Sequence, residues 1–447
     1  MHLPAPGPSH RLTRRTLIAV PALGLAGQST LAQPASPVAD SGVRFDFFGS
    51  LPVQYDTRFH FSVHGLESGQ VITIEATFSD ARDQAWKSAA RYVEEGFSTV
   101  SPVVQVPESG SFDVADSMAF IWAATTANPD AFYAPPAHDT TLAFRVLAED
   151  GETVLAHEEI TRTGLSEDAT FETIDGPDFR AEYVAPPTAA GERIPAVMIL
   201  GGSEGGISTT LPTAIRLAAS GYACLAVGYF GMEGLPDQLE NISLEYFADP
   251  IEWLNQRPEV EGSRIAVLGY SRGAELALLL GTLYEEITAA VSISGSGVVH
   301  PGIDWNDLYP APFPAWTWNG SPLPFIDGSA KWDDPDTYAE ATIPIENING
   351  PVLLVAGDDD WLWPSVILSQ IAWRRLQTAD RDWPDQFLTY PGAGHLILPP
   401  FQPLTYPREF NGLPFGGNPR DDAAAGAGSW QAILAMLGWW RFKSNPA

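Results

Sequence analysis

The stretch Ile265-Ala266-Val267-Leu268-Gly269-Tyr270-Ser271-Arg272-Gly273-Ala274-Glu275-Leu276-Ala277-Leu278-Leu279-Leu280 decides the reading of the whole chain. Four apolar residues predict a buried strand. Ala274–Leu280 predicts a helix, continuing to about Leu283. Between them lies Gly269-Tyr270-Ser271-Arg272-Gly273, a G-x-S-x-G sequence. Set between a buried strand and a helix, that pattern is a nucleophile elbow, a tight turn that presents a serine Oγ at a helix N-terminus. Glycines on either side let strand and helix approach without a Cβ clash. Ser271 is therefore the candidate nucleophile.

Working outward, continuous apolar runs alternate with helix-length segments. The runs are Ala196–Leu200, Ala223–Val227, Ala289–Ile293 and Pro351–Ala356, and helices are expected near Leu211–Ser220 and across Leu239–Asn255. Pro250 must kink or break the second of these. Strands that are apolar throughout, separated by helices, predict a parallel sheet covered on both faces. Residues 296–349 interrupt the alternation. Their length, prolines and aromatics (Trp305, Phe313, Trp316, Trp318, Phe325, Trp332) suggest an insertion over a site, with an acyl pocket and simple loop packing as the two readings of those rings.

A serine nucleophile needs a base and an acid, which follow it in the order Ser, Asp or Glu, His in this fold. Only His300 and His395 come after Ser271. His395 ends the Gly-rich turn Tyr390–Gly394, which can aim an imidazole back at the elbow. His300 lies in the insertion without such a setting. The acid is expected after the strand ending at Ala356, where Gly357-Asp358-Asp359-Asp360 follows. Spacing from the glycine selects Asp360, with Asp359 as the alternative. The oxyanion hole needs two backbone N–H donors. One is expected from Arg272, directly after the serine, and one from the loop Gly201–Gly206, at Ser203. No metal site or cofactor motif is legible, and the loop lacks the Lys-Ser or Lys-Thr of a phosphate loop.

Before about Gly164 the texture is β. Phe59–Val63, Val71–Thr77, Leu142–Val146 and Thr153–Leu155 read as short strands between Gly, Pro and Asp turns, with Asp80–Glu94 ambiguous. Together they suggest an immunoglobulin-like β-sandwich. The expected organisation is a signal peptide at 1–32, a linker at 33–42, a β-sandwich at 43–165 and an α/β-hydrolase domain at 166–447.

The signal reading rests on Arg14-Arg15, the short apolar run Leu17–Ala26 and a cleavage site at Thr30-Leu31-Ala32. It implies export by a twin-arginine route, to the periplasm or beyond. No run is long enough to span a membrane. Removing residues 1–32 deletes Arg11, Arg14 and Arg15 and takes the net charge from −31 to −34. With lysine only at Lys87, Lys331 and Lys443, such a surface repels nucleic acid. The single cysteine, Cys224, precludes an internal disulfide and reads as a small core residue. The composition does not indicate an oligomeric state.

The chain resembles the acyl-CoA thioesterase / bile acid-CoA:amino acid N-acyltransferase family over about residues 45–440. The resemblance is carried by Phe59–Leu66, Trp86–Tyr92, Gly110–Trp122, Leu244-Glu245-Tyr246-Phe247, Pro258-Glu259-Val260, Leu268–Leu276, Gly357–Ser365 and His395–Pro400. It implies an N-terminal β-sandwich before an α/β-hydrolase domain, with Ser271, Asp360 and His395 as nucleophile, acid and base. It also implies hydrolysis of a small-molecule acyl thioester or related ester through an acyl-serine. The family's amino acid transferases carry cysteine at the nucleophile position, so Ser271 favours hydrolysis over the alternative of acyl transfer to an amine or alcohol. An exported carboxylesterase without a CoA role is the other alternative.

Overall fold

The strand leading to Ser271, Val260–Tyr270, lies inside an eight-stranded sheet. The structure, a computed structural model, describes residues 41–303, 312–410 and 412–443. The twin-arginine pair, the Thr30-Leu31-Ala32 site, most of the 33–42 segment and Trp305 lie outside the described residues.

Across this sheet the strands run Thr170–Asp175, Arg180–Ala185, Ala223–Gly228, Ile194–Leu200, Val260–Tyr270, Ile287–Ile293, Val352–Gly357 and Gln386–Tyr390. The first three pair antiparallel; from Ala223–Gly228 onward every pairing is parallel. The central strands are apolar at every position because each face has its own core. Met198, Leu200, Leu225, Ile265 and Val267 join Leu276 and Leu280 of the helix Arg272–Leu283 on one side. Val197, Ile199, Cys224, Ala266 and Leu268 join Leu217 and Ile433, Met436 and Leu437 of the helix Pro419–Phe442 on the other. The strand period of two divides one apolar run between two cores. This is the expected α/β-hydrolase fold. Cys224 is buried in it, and burial pushes its thiol pKa up.

One expected element differs. Leu239–Asn255 is not a single broken helix. Ile242–Ser243 pairs with the strand Trp316–Trp318, Leu244–Phe247 forms a 3₁₀ turn, and an α-helix runs Ala248–Gln256. Pro250 lies in the first turn of that helix, where a backbone N–H has no intrahelical acceptor, so it starts the helix rather than breaking it. The insertion's rings pack inward. Trp316 is fully buried in the core beside the Ser271 helix, Trp318 and Phe325 pack against that core, and Trp332 packs on a small cluster around Tyr338 and Trp363. The described rings Trp316, Trp318, Phe325 and Trp332 thus pack onto the domain.

Residues 44–163 form two largely antiparallel sheets. One has six strands, with Val71–Ser79 at its centre between Thr140–Leu147 and Ala85–Val93; the other joins Arg44–Phe48, His60–His64 and Thr99–Val100. Of the ambiguous segment Asp80–Glu94, Ala85–Val93 is a strand. The sheets share an aromatic core in which Phe61 and Phe144 ring centres lie 4.9 Å apart. That core also contains Phe401, Leu404, Tyr406 and Phe415, which come from the far end of the chain.

Candidate active site

In a parallel sheet the carboxyl ends of the strands share one edge, and ligands bind there. Ser271 follows Val260–Tyr270, the loop 201–206 follows Ile194–Leu200, Asp360 follows Val352–Gly357, and His395 follows Gln386–Tyr390. The topology therefore gathers all of the expected site residues at one edge.

Ser271 has φ +53° and ψ −119°, a conformation that costs a non-glycine residue on the order of 1–3 kcal/mol. Its surroundings enforce it. The Ser271 N–H donates to the Ile293 carbonyl at 2.9 Å, and its own carbonyl accepts from Ala274 N at 3.0 Å. The flanking glycines are required sterically. A Cβ at Gly269 would fall on the Gly273 carbonyl, and one at Gly273 would fall on the Leu200 and Gly201 carbonyls.

The loop after Leu200 lies against the serine, since a Cβ at Gly202 would sit 3.0 Å from the Ser271 Cβ. Two residues that sequence reasoning missed hold it. Glu204 accepts from Gly202 N at 3.1 Å and from the Thr209 hydroxyl, and Tyr229 donates to the Gly201 carbonyl at 2.5 Å. The Gly202 amide is thereby engaged inside the loop. Ser203 is half-buried beside it.

The three consecutive carboxylates have three separate jobs. Asp358 accepts from Gly392 N at 2.6 Å. Asp359 accepts from the Trp361 indole at 2.7 Å and from Gly417 N at 3.1 Å. Asp360 Oδ2 lies 2.8 Å from His395 Nδ1, and its Oδ1 accepts from Leu362 N at 3.0 Å and Trp363 N at 3.2 Å. Backbone and indole donors offset the repulsion that three adjacent carboxylates would otherwise feel. It is Asp360, not Asp359, that meets the histidine. With Nδ1–H donated to Asp360, Nε2 keeps its lone pair.

His395 is held on every side. Its N–H donates to the Phe415 carbonyl at 2.8 Å, and its carbonyl accepts from the Ser294 hydroxyl at 2.7 Å. Since Ser271 hangs from Ile293, serine and histidine are anchored to consecutive residues at the end of one strand. Asp422 accepts from Gly394 N at 2.8 Å and also binds Arg408. The stretch Asn418-Pro419-Arg420-Asp421-Asp422 signals a capped helix start in sequence, but nothing in it says that Asp422 reaches the histidine loop.

On the serine side, Arg272 and Glu275 form a buried ion pair at 3.2 Å. Arg272 donates to the His300 carbonyl at 3.0 Å and the Pro301 carbonyl at 2.6 Å, while Glu275 accepts from Trp316 Nε1 at 2.6 Å and His300 N at 3.2 Å. The pair staples the insertion to the Ser271 helix. Burial, then the Arg272 charge, hold the His300 pKa well below the usual histidine range. Burial pushes Glu275 up to about 7 against the pull of Arg272.

The sequence family described as "BAAT / Acyl-CoA thioester hydrolase C terminal" matches residues 242–438, and "Acyl-CoA thioester hydrolase/BAAT N-terminal region" matches residues 56–175. Among curated relatives, acyl-coenzyme A thioesterase 6 of Mus musculus is 30% identical over 414 residues, covering 88% of this chain and 96% of its own. The peroxisomal succinyl-coenzyme A thioesterase of Mus musculus is 28% identical, covering 86% and 93%. Acyl-coenzyme A thioesterase 1 of Homo sapiens is also 28% identical, with the same coverage. Among solved structures, a dienelactone hydrolase-like phosphotriesterase from metagenomic libraries is 20% identical, covering 61% of this chain and 98% of its own at a TM-score of 0.40. Two family regions matched in order, together with a relative 30% identical along nearly its whole length, place the chain in the acyl-CoA thioester hydrolase/BAAT family.

Proposed function

We propose that the protein is a serine hydrolase that cleaves acyl thioesters through an acyl-Ser271 intermediate. The observation that carries this reading is the buried 2.8 Å His395–Asp360 pair at the same sheet edge as the strained Ser271. The Ser271 Oγ attacks the acyl carbonyl carbon while His395 Nε2 takes its proton. Asp360 fixes the tautomer and stabilises the imidazolium. The tetrahedral oxyanion accepts hydrogen bonds from the Arg272 and Ser203 amides. Collapse breaks the carbon–sulfur bond, and His395 returns the proton to the departing thiolate. Water then attacks the acyl-serine with His395 again as base. This releases the carboxylic acid and restores the serine.

Relatives named for acyl-coenzyme A support a CoA ester as substrate. The acidic surface and three lysines favour a second reading, in which the leaving group is a small neutral thiol or alcohol. Comparing kcat/KM for an acyl-CoA and for the same acyl group on a neutral thiol separates them. A hundredfold preference for the CoA ester, about 2.7 kcal/mol, means that the nucleotide is bound specifically. Adding glycine or taurine to the same assay tests acyl transfer, which would appear as an amide product. The Arg14-Arg15 segment supports export by a twin-arginine route. Changing both arginines to lysine should retain precursor in the cytoplasm, and undisturbed export of that variant would count against the route.

A further inference from the structure

In the segment that follows His395, Ile397 is buried in the hydrolase core, but the chain beyond it leaves that core. Phe401, Leu404, Tyr406 and Phe415 are buried in the core of the β-sandwich instead, and Leu362 of the acid loop and Leu396 and Leu398 beside the histidine pack against that same core. Polar contacts repeat the pattern. Leu404 N donates to the Trp122 carbonyl at 2.9 Å, and the Thr405 hydroxyl donates to the Ala124 carbonyl at 2.6 Å. The buried Arg162, on a sandwich strand, donates to the Phe401 carbonyl at 3.0 Å. Phe401 itself has φ +56°. A non-glycine residue keeps such a backbone only where its surroundings over-determine it.

This strap returns to the site at Phe415. The Phe415 carbonyl takes the His395 N–H at 2.8 Å, and its ring lies nearly parallel to the imidazole, 15° between planes and 6.4 Å between centres. Trp363 packs edge-on to the imidazole, 6.0 Å away at 74°, and its indole donates to the Ser294 carbonyl at 2.9 Å. The imidazole therefore has two ring neighbours, Trp363, tied to the hydrolase sheet, and Phe415, tied to the sandwich.

We propose that Phe415 is a positioning residue for His395, and that through it the N-terminal β-sandwich sets the orientation of the base rather than serving as a separate binding module. The proposal rests on the reading of His395 as the base. The imidazole must point Nε2 at the serine while Nδ1 stays on Asp360, and the role assigned to the near-parallel Phe415 ring is to oppose the rotation that would release it. A misplacement of about 1 Å can lower turnover ~100-fold without weakening substrate binding.

The test uses the full chain with Phe415→Ala, Phe415→Tyr and Thr405→Val. It reads kcat and KM on an acyl thioester, and the rate at which a fluorophosphonate labels Ser271. Phe415→Ala is expected to lower kcat about 10–100-fold with KM within about twofold, and to slow labelling in proportion. Phe415→Tyr, which keeps the ring, should stay within about threefold of wild type. Thr405→Val, ten positions away and facing only the sandwich, should lower kcat severalfold. If Phe415→Ala does not fold, Phe415→Leu and Thr405→Val carry the test. Folded variants with wild-type kcat and labelling, or a loss confined to KM, overturn the proposal. His395→Ala is measured alongside. If it retained turnover, the assignment of the base would fall, and the positioning role with it; if it is inactive while the Phe415 variants are not, only the positioning role falls.

Discussion

Ser271 and His395 lie at the same sheet edge but are held by different parts of the molecule. Ser271 is fixed by backbone. Its turn is set by Gly269 and Gly273, its N–H by Ile293, and its helix by a leucine-rich face inside the hydrolase core. His395 stands on a loop with little secondary structure. Side chains and carbonyls from Ser294, Phe415, Asp358 and Asp422 hold that loop, and a second domain backs it. A nucleophile can be positioned by the local geometry of one turn. A base that must accept, keep and return a proton depends on the orientation of a whole ring, which takes contacts from several directions.

The first way to break the comparison is at its chemical centre. Ser271→Ala should remove turnover, on the order of 10⁶-fold in kcat by analogy with other serine hydrolases, with the melting temperature little changed. A fluorophosphonate should label the wild type at Ser271 alone. Residual activity near wild type would move the nucleophile elsewhere.

Next comes the acid. Asp360→Asn should lower kcat by on the order of 10⁴-fold through the wrong imidazole tautomer. Asp359→Asn disturbs only Trp361 and Gly417 and should cost about tenfold or less. The reverse ranking would contradict the 2.8 Å pairing with Asp360.

The two sides should also differ in how they respond to pH and to loss of charge. On the serine side, burial raises the Glu275 pKa from its ordinary 4.5 to about 7. A carboxyl that holds its proton more tightly folded than unfolded contributes stability that is fully present below pH 4.5. That contribution is lost as pH rises towards 7, at no more than about 1.4 kcal/mol per pH unit. Glu275→Gln should flatten this slope in urea unfolding between pH 5 and about 7. It should also lower stability overall, because Arg272 loses its buried partner. A slope identical to wild type would place the proton elsewhere.

Where the sandwich meets the hydrolase domain the contrast is between two buried arginines. Arg162, which burial holds at about 10, satisfies the carbonyls of Phe401 and Tyr55. None of the three guanidinium nitrogens of Arg216 has a hydrogen-bond partner among the described residues, and the group packs over the Tyr55 ring at 5.2 Å. Arg162→Met should cost about 2–4 kcal/mol, because it leaves buried carbonyls unpaired, and should lower kcat with the strap. Arg216→Met should leave stability unchanged or raise it, since a buried cation without acceptors carries a desolvation cost that nothing repays. Equal losses in thermal melts would mean that Arg216 also holds the interface.

Much of the site was legible because it is written in local patterns. The elbow at Gly269–Gly273, the Gly-rich turn before His395 and the Gly357-to-Asp360 spacing each occupy a few consecutive residues. Each follows an apolar run long enough to read as a buried strand. Asp359 could not be separated from Asp360 in sequence, because neighbouring carboxylates look alike until their donors are known. The segment Leu239–Asn255 was misread for the same reason. Its apolar spacing suits a helix, but Ile242–Ser243 pairs with Trp316–Thr317, more than seventy residues on, and sequence periodicity has no term for such a partner.

The sequence by itself determined the fold class, the order of the β-rich and α/β parts and the candidacy of Ser271, because burial on both faces and tight turns act on neighbouring residues. Only the tertiary structure decided which carboxylate meets His395, that Glu204 and Tyr229 pin the loop beside the serine, and that Phe401, Leu404, Tyr406 and Phe415 belong to the sandwich core. In all of these but the Glu204 contacts with Gly202 and Thr209, a residue is assigned to a partner distant along the chain. The apolar character of Phe415 predicts that it will be buried, but it does not say in which core, because the hydrophobic effect has no direction.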